Sequence, residues 1–236
     1  VINGQKMWTS VIQYADYVWL AARTDPEAPR HKGLSVFLVP TSAEGFKWTP
    51  VPTMSGTTTS ATFYEDVRVP ATALVGEENQ GWRLITNQLN HERVALCSAA
   101  GVQHLLADVR RWAHDTTLAD GRRVIDQEWV QLHLARVHAK VEFLKLINWK
   151  IAWGVSRGVG PQDASATKVF TEAYRLLMEV LGQESVVVRD SPGSILRSRL
   201  ERMYRSTLIL TFGGGTNEVQ RDIIAMVGLG MPRAPR

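Results

Sequence analysis

The sequence has very little cysteine and no hydrophobic run of membrane length. Cys97 is the only cysteine in 236 residues. An intramolecular disulfide is therefore excluded, and we expect a reducing compartment such as the cytoplasm or a mitochondrial matrix. No stretch approaches the roughly 20 apolar residues that a transmembrane helix requires. The chain opens at Val1 without an initiator methionine or a signal peptide, which predicts the C-terminal part of a longer protein.

Metal ligands and a nucleic-acid-binding charge pattern are also missing. No two of the six histidines are four residues apart, and a lone cysteine supplies no thiolate pair, so we expect no metal site. The formal net charge is +4, with the basic excess after residue 77. In the part of the chain after residue 77, arginines alternate with acidic residues along predicted helices, which argues against a nucleic-acid partner. The excess remains compatible with a phosphorylated small-molecule ligand.

The first third of the chain has the pattern of a β-sheet domain. Short runs rich in β-branched and aromatic residues, separated by glycine and proline, predict strands over 17–24, 33–40, 46–51 and 58–67. This spacing predicts an antiparallel sandwich or barrel. About 77 residues is short for a complete one, so we expect residues 1–77 to form a partial β-domain.

The remainder of the chain has helical periodicity. Apolar residues recur at helical spacing over 82–113, 126–155, 164–181 and 194–210, and a short helix follows the three glycines at 213–215. Long amphipathic helices with short connections predict an antiparallel four-helix-type bundle over 78–236. The predicted fold class is therefore a partial antiparallel β-sandwich or barrel followed by this bundle.

Glu92 is an unusual residue on its predicted helix. Ile85, Leu89, Leu96 and Ala99 share a helical face with it, and the rest of that face is apolar. A carboxylate pointing toward the interior would have a raised pKa. It is either a structural ion pair with a cation of a neighbouring helix or a functional group, and the pattern leaves both interpretations open.

Two further segments could contact a ligand. Gly213–Gly215 precede Thr216 as a predicted N-cap, so backbone N–H groups are accessible there, although Glu218 could satisfy the helix start alone. Near the start, Asn3-Gly4 is a hairpin-turn signal. Trp8, beside the hydroxyls of Thr9 and Ser10, either flanks a planar cofactor or lies in the core.

Three ordered segments together resemble the acyl-CoA dehydrogenase family of flavoproteins. They are Asn3-Gly4-Gln5-Lys6-Met7-Trp8-Thr9-Ser10, Phe63–Pro70 with Gly76–Trp82, and Gly215-Thr216-Asn217-Glu218-Val219-Gln220-Arg221. Members of that family have an N-terminal helical domain, a middle β-domain and a C-terminal four-helix bundle. The resemblance covers most of the middle domain and all of the last one, and implies that the N-terminal helical domain is absent from this chain.

The resemblance also implies a cofactor, FAD, and an acyl-CoA substrate. It places Trp8, Thr9 and Ser10 against the flavin ring, with Ser10 near N5. The segment at the other end would contact the adenosine-diphosphate part of FAD through Gly215, Thr216 and Glu218. Asn90 and Arg93 match positions near the bound thioester.

One departure from the family pattern decides the expected catalytic base. Many members carry a catalytic glutamate at the position of Gly214, which has no side chain to accept a proton. Other members place the glutamate just before the helix arginine, as in Glu92-Arg93. We therefore expect Glu92 to abstract the α-proton of the thioester, while the backbone N–H of Gly214 donates to the developing enolate oxygen.

The resemblance leaves alternatives open. Because of Gly214, the chain could be a non-catalytic or site-completing subunit of a heteromeric acyl-CoA dehydrogenase. A flavin-dependent oxidase or monooxygenase on the same fold is a further alternative, against which the retained Glu92 argues. The family further implies an electron-transfer flavoprotein as electron acceptor and assembly into homo- or hetero-oligomers, as dimers or tetramers.

Overall fold

The computed structural model describes residues 1–154, 158, 160–168 and 172–233. The chain forms two compact units, Val1–Gln88 and Leu89–Arg236. The domain boundary after residue 77 stays a prediction about the architecture of the whole protein.

The first unit consists of two antiparallel three-stranded sheets. The strands are β1 (Ile2–Lys6), β2 (Tyr17–Arg23), β3 (Leu34–Pro40), β4 (Phe46–Pro52), β5 (Thr58–Val67) and β6 (Leu74–Val75). The strand orders are β1-β5-β4 and β2-β3-β6. Alternate residues of both sheets point into one apolar core, which contains Ile12, Val18, Leu20, Val39, Phe46, Tyr64 and Val67. The antiparallel β-architecture, predicted as a sandwich or barrel, and its four strands are confirmed, and β1 and β6 are present in addition.

The Asn3-Gly4 dipeptide lies within strand β1, so the hairpin turn expected there is wrong. Ile2 pairs with Val67 and Gly4 pairs with Tyr64, which leaves a bulge between them. The Asn3 amide donates to Asp66 Oδ1 at 2.9 Å and accepts from the Asp66 N–H at 2.8 Å. A bulge uses the same permissive backbone as a tight turn, and Gly4 supplies it with a φ of 142°.

The second unit is helical. Its elements are α1 (Gly81–Leu96), which begins in the first unit, α2 (Ala99–Asp115), α3 (Glu128–Gly154), α4 (Pro161–Lys168), α5 (Glu172–Leu181), α6 (Arg199–Leu210) and α7 (Asn217–Ile223), followed by a π-helical turn at Ile224–Gly228. Buried side chains of α2, α3, α5 and α6 form one apolar cluster, which includes Val109, Val137, Leu177 and Leu200. The predicted bundle is confirmed.

The helix predicted over 82–113 is two helices, α1 and α2. Ser98 is extended, with φ −70° and ψ 134°, and its hydroxyl accepts a hydrogen bond from the Ala100 N–H. This is an N-cap, which starts a new helix rather than continuing the old one. Cys97, expected within a helix, therefore lies at the break, where it is buried.

The other predicted helices differ in their bounds. In the 164–181 segment, α4 starts earlier, at Pro161, and α5 begins at Glu172; residues 169–171 lie outside the described residues. The helix predicted from 194 begins only at Arg199, because Leu196, Arg197 and Ser198 have positive φ values between 47° and 54°. Left-handed backbone cannot continue a right-handed helix.

Candidate active site

The site begins at the glycine turn that connects α6 and α7. Gly214 and Gly215 have φ values of 71° and 102°, a conformation that favours glycine. A Cβ on Gly215 would lie 2.5 Å from Gln220 Nε2. The second and third glycines of this motif are therefore required by the local backbone.

The carbonyl of Gly214 is the point at which α1 and α7 side chains meet. Arg93 Nε donates to this oxygen at 2.9 Å, and Gln220 Nε2 donates to it at 3.0 Å. Arg93 Nη1 also donates to Asn90 Oδ1 at 2.9 Å. The structure thus brings together three of the predicted residues, Asn90, Arg93 and Gly214. Arg93 is only 7% exposed, and this burial lowers the pKa of its guanidinium, opposed by the nearby Glu92 carboxylate.

Glu92 is exposed in this chain, so the expectation of a carboxylate pointing into the helical core is wrong for the described residues. Between Glu92 and Ala99 the buried positions are Arg93, Cys97 and Ala99. The prediction assumed one continuous helix, but Leu96 is 44% exposed at the end of α1 and Ala99 belongs to α2. The apolar face assigned to Glu92 does not exist as a single surface.

Lys168 is a site residue that the sequence reasoning missed. Its ammonium donates to the carbonyl of Gly215, and the residue is completely buried. Burial lowers the pKa of this ammonium. A signal was present in the sequence: Lys168 is the only charged residue between Asp163 and Glu172. Gln220, fully buried within the terminal motif, is a second such site residue.

The start of α7 is capped as the sequence predicted. Thr216 Oγ1 accepts a hydrogen bond from the Val219 N–H at 3.4 Å. The pKa of the Glu218 carboxyl is lowered by its own backbone N–H and by the Thr216 hydroxyl. Within the described part of the chain, two buried acceptor atoms here have no hydrogen-bond partner, Asn217 Oδ1 and Gln220 Oε1.

The other predicted cofactor residues belong to the first unit. Trp8 is 58% exposed with a φ of 68°, so it is not a core residue of that unit. The Thr9 N–H donates to the Ser60 carbonyl at 2.9 Å. The hydroxyls of Ser10 and Thr59 are 3.4 Å apart. Among the described residues of this unit, the buried hydroxyls of Ser60 and Tyr64 have no hydrogen-bond partner.

Two negative findings apply to the described residues. They contain no cluster of three or more histidine, cysteine, aspartate or glutamate side chains able to hold a metal ion. None of their helices combines the length and apolar character needed to cross a membrane.

Comparison with known protein families matches nearly the whole chain. Residues 1–67 match the acyl-CoA dehydrogenase middle domain, and residues 79–229 match the acyl-CoA dehydrogenase C-terminal domain. Acyl-CoA dehydrogenase FadE26 of Mycobacterium tuberculosis is 65% identical over an alignment of 248 positions, which covers 100% of this chain and 62% of that protein. Acyl-CoA dehydrogenase FadE29 of the same organism is 43% identical, with the same coverage. The chain therefore spans less than two thirds of the length of these relatives.

Solved structures share the fold. The ChsE4–ChsE5 complex from Mycobacterium tuberculosis contains a chain with 66% identity and a TM-score of 0.89, over 99% of this chain and 62% of that one. The Tcur3481–Tcur3483 steroid ACAD contains a chain with 46% identity and a TM-score of 0.87, over 99% of this chain and 61% of that one. With both domain matches in their expected order, the chain belongs to the acyl-CoA dehydrogenase family.

Proposed function

We propose that the protein containing this chain catalyses the FAD-dependent α,β-dehydrogenation of an acyl-CoA thioester. The observation that carries the proposal is the hydrogen bond from Arg93 Nε to the Gly214 carbonyl. It joins the helix segment Asn90–Arg93 to the glycine turn, and these are the two segments that the family resemblance assigns to the thioester. FAD, when bound, supplies the acceptor for the hydride that leaves the β-carbon.

The residues of this chain fit an FAD molecule. Asn217 Oδ1 and Gln220 Oε1 are buried acceptors without donors in the described chain, which hydroxyl or amine groups of a ligand would satisfy. Gly214 and Gly215 allow close approach of a ligand to the backbone. In the first unit, the exposed Trp8 ring and the Ser10 hydroxyl supply an aromatic surface and a hydrogen-bonding group. The candidate contacts for FAD are Trp8, Thr9 and Ser10 within the first unit, and Gly215, Thr216 and Glu218 within the second.

Within this proposal, Glu92 is the base that takes the α-proton. Its carboxylate is exposed in the chain and is therefore accessible to a bound thioester. Gly214 has no carboxylate to offer, but its N–H donates no hydrogen bond within the described part of the chain and is available to the thioester oxygen. A donor aimed at an oxygen that gains negative charge stabilises the enolate-like transition state. Asn90 and Arg93 would bind the substrate and hold the turn.

The test is Glu92→Gln in the full-length protein, followed by flavin absorbance during anaerobic titration with a panel of acyl-CoAs. The variant should retain its flavin spectrum but show at least about a hundredfold slower bleaching, because a positioned base contributes roughly 10²–10⁴-fold to rate. Glu128→Gln, an exposed change on α3, is the matched control and should bleach at the wild-type rate. Unchanged bleaching in Glu92→Gln would reject the assignment. Steroid-bearing thioesters belong in the panel, because one related solved structure is a steroid ACAD.

A second candidate function is a subunit that completes the site of a heteromeric acyl-CoA dehydrogenase. The absence of a carboxylate at Gly214 favours it, and both related structures described above are named as pairs of different chains. The same titration separates the two candidates. A protein that bleaches only after a partner chain is added is a site-completing subunit, whereas a homomeric enzyme bleaches alone. For the enzyme, the electron acceptor that we propose is an electron-transfer flavoprotein.

A further inference from the structure

Two buried cationic side chains donate hydrogen bonds to neighbouring carbonyls of the glycine turn. Arg93 donates to the Gly214 carbonyl, and Lys168 donates to the Gly215 carbonyl. Among the described residues, neither cation forms an ion pair with a carboxylate. The stems of both side chains also border Gly214: a Cβ there would lie 3.4 Å from Arg93 Cγ and 4.0 Å from Lys168 Cε. A buried charge without a paired carboxylate is costly, and the carbonyl contacts, with the contact between Arg93 and Asn90, offset part of that cost.

These contacts fix the direction of two peptide groups in the turn, Gly214–Gly215 and Gly215–Thr216. In a trans peptide the C=O and the following N–H point in opposite directions. The Gly214–Gly215 peptide is held on both sides, since its carbonyl binds Arg93 and its N–H donates to the Phe212 carbonyl at 2.9 Å. The Gly215–Thr216 peptide has its carbonyl on Lys168, so the Thr216 N–H points away from the lysine. Within the described chain, the N–H groups of Gly214 and Thr216 donate no hydrogen bond.

We propose that Lys168 is a positioning residue: its buried ammonium orients the Gly215–Thr216 peptide, which presents the Thr216 N–H to the bound cofactor, and by holding the turn it keeps the nearby Gly214 N–H available to the thioester. This inference rests on the proposed function for the identity of the ligand. The hydrogen bond from Lys168 to the Gly215 carbonyl lies within this chain and does not depend on the identity of the ligand. An ammonium is a stronger donor than a neutral group, and in a low-dielectric interior it also polarises the peptide it binds.

A lysine with only a packing role would behave differently. Its loss would weaken the helical unit as a whole, and amide exchange would rise together in α2, α3 and the glycine turn. A positioning lysine predicts a local effect, confined to the turn, and a loss of turnover larger than the loss of substrate affinity. The two interpretations are therefore separated by where the exchange increases.

The experiment compares Lys168→Met with wild type in the full-length protein by hydrogen–deuterium exchange. Methionine has a similar length and no charge, so it removes the donor with little change in volume. Lys150→Met is the matched control. Lys150 Nζ contacts Asp163 at 2.8 Å, and Asp163 lies on α4, the helix that also carries Lys168. Within the described residues, Lys150 does not contact the turn. We expect exchange in residues 211–221 to rise at least about tenfold in Lys168→Met, with less than about twofold change in α2 and α3. Lys150→Met should leave residues 211–221 unchanged.

Kinetics provide the second measurement. Lys168→Met should lower kcat by roughly ten- to a hundredfold with KM changed less than about threefold, because a misplaced N–H acts mainly in the transition state. Unchanged exchange at 211–221, or an equal rise throughout the helical unit, would overturn the proposal. If Lys168→Met does not fold, Lys168→Gln takes its place, and failure of both to fold assigns Lys168 to the core and rejects positioning. A local exchange effect in a protein that dehydrogenates no acyl-CoA would leave the positioning role and reject the proposed function.

Discussion

At the residue scale, two adjacent side chains of α1 show the reverse of the burial that the sequence pattern predicts. Glu92 is exposed while its neighbour Arg93 is 7% exposed. The buried guanidinium of Arg93 is stabilised because its planar group donates to two oxygens at once, those of Asn90 and Gly214. The Arg93 guanidinium therefore holds the glycine turn through a hydrogen bond to the Gly214 carbonyl. Its contact with the substrate stays a prediction.

Cys97 provides a prediction at the same scale. Burial raises the pKa of its thiol, although the Thr167 hydroxyl and the Lys168 charge oppose the shift. At pH 8 the thiolate fraction should therefore be lower than that of a free cysteine, and reaction must also wait for local opening. We expect labelling by a thiol reagent to be on the order of a hundredfold slower in the native than in the denatured protein, equivalent to about 3 kcal/mol. Labelling at equal rates would show that the thiol is not protected.

At the scale of elements, capping decides where the long helical segment divides. The apolar period continues through Cys97 and Ser98, but the Ser98 hydroxyl accepts from the Ala100 N–H and starts α2. A similar local conflict shortens α6, which begins after three residues with positive φ. Short polar side chains and backbone conformation thus override a periodicity that hydrophobic residues alone would extend.

The Ser98 cap can be tested by Ser98→Ala. Ser98 is exposed, so the change removes the cap without creating a cavity. We expect the free energy of unfolding, measured by urea denaturation of the full-length protein, to fall by about 1 kcal/mol. Ser98→Asp, which retains a capping oxygen, should restore most of the loss. Equal stability of the alanine and wild-type proteins would contradict a stabilising cap.

At the scale of the whole molecule, helix α3 carries an apolar surface outside the bundle core. Leu146 and Trp149 are 62% and 64% exposed, and Trp153 on the same face is 82% exposed. Large apolar patches on soluble proteins mark interaction surfaces. The surface supports the proposed assembly with further subunits, which the family resemblance also implies.

This surface predicts the effect of a charge on assembly. Trp149→Glu should lower the mass of the full-length oligomer in light scattering, because an interface would bury the new carboxylate without a partner. Thermal unfolding of the separated protomer should change little, since the position is already exposed to solvent. Ala139→Glu, an exposed change on the same helix, should leave the mass unaltered. An unchanged mass for Trp149→Glu would place the subunit contacts elsewhere.

Much of the fold followed from local sequence patterns. The four predicted strands and the helical bundle are present, because alternation and helical periodicity report directly which side chains face a core. The Thr216 cap was also predicted, since it depends on neighbouring residues only. The prediction of a hairpin turn at Asn3-Gly4 is wrong, because β1 pairs with the distant strand β5 and the dipeptide forms a bulge in that pairing.

Local sequence patterns suffice to establish the family, the order of sheet and bundle, and the glycine turn before α7. These depend on ordered motifs and on contacts between residues close in the chain. The folded structure is needed to show that Arg93 rather than Glu92 is buried and that Arg93, Lys168 and Gln220 contact the turn. Arg93 and Gly214 are 121 positions apart, and Lys168 and Gly215 are 47 apart. No local pattern encodes such pairings, because they arise when packed helices bring buried polar groups to the carbonyls that satisfy them.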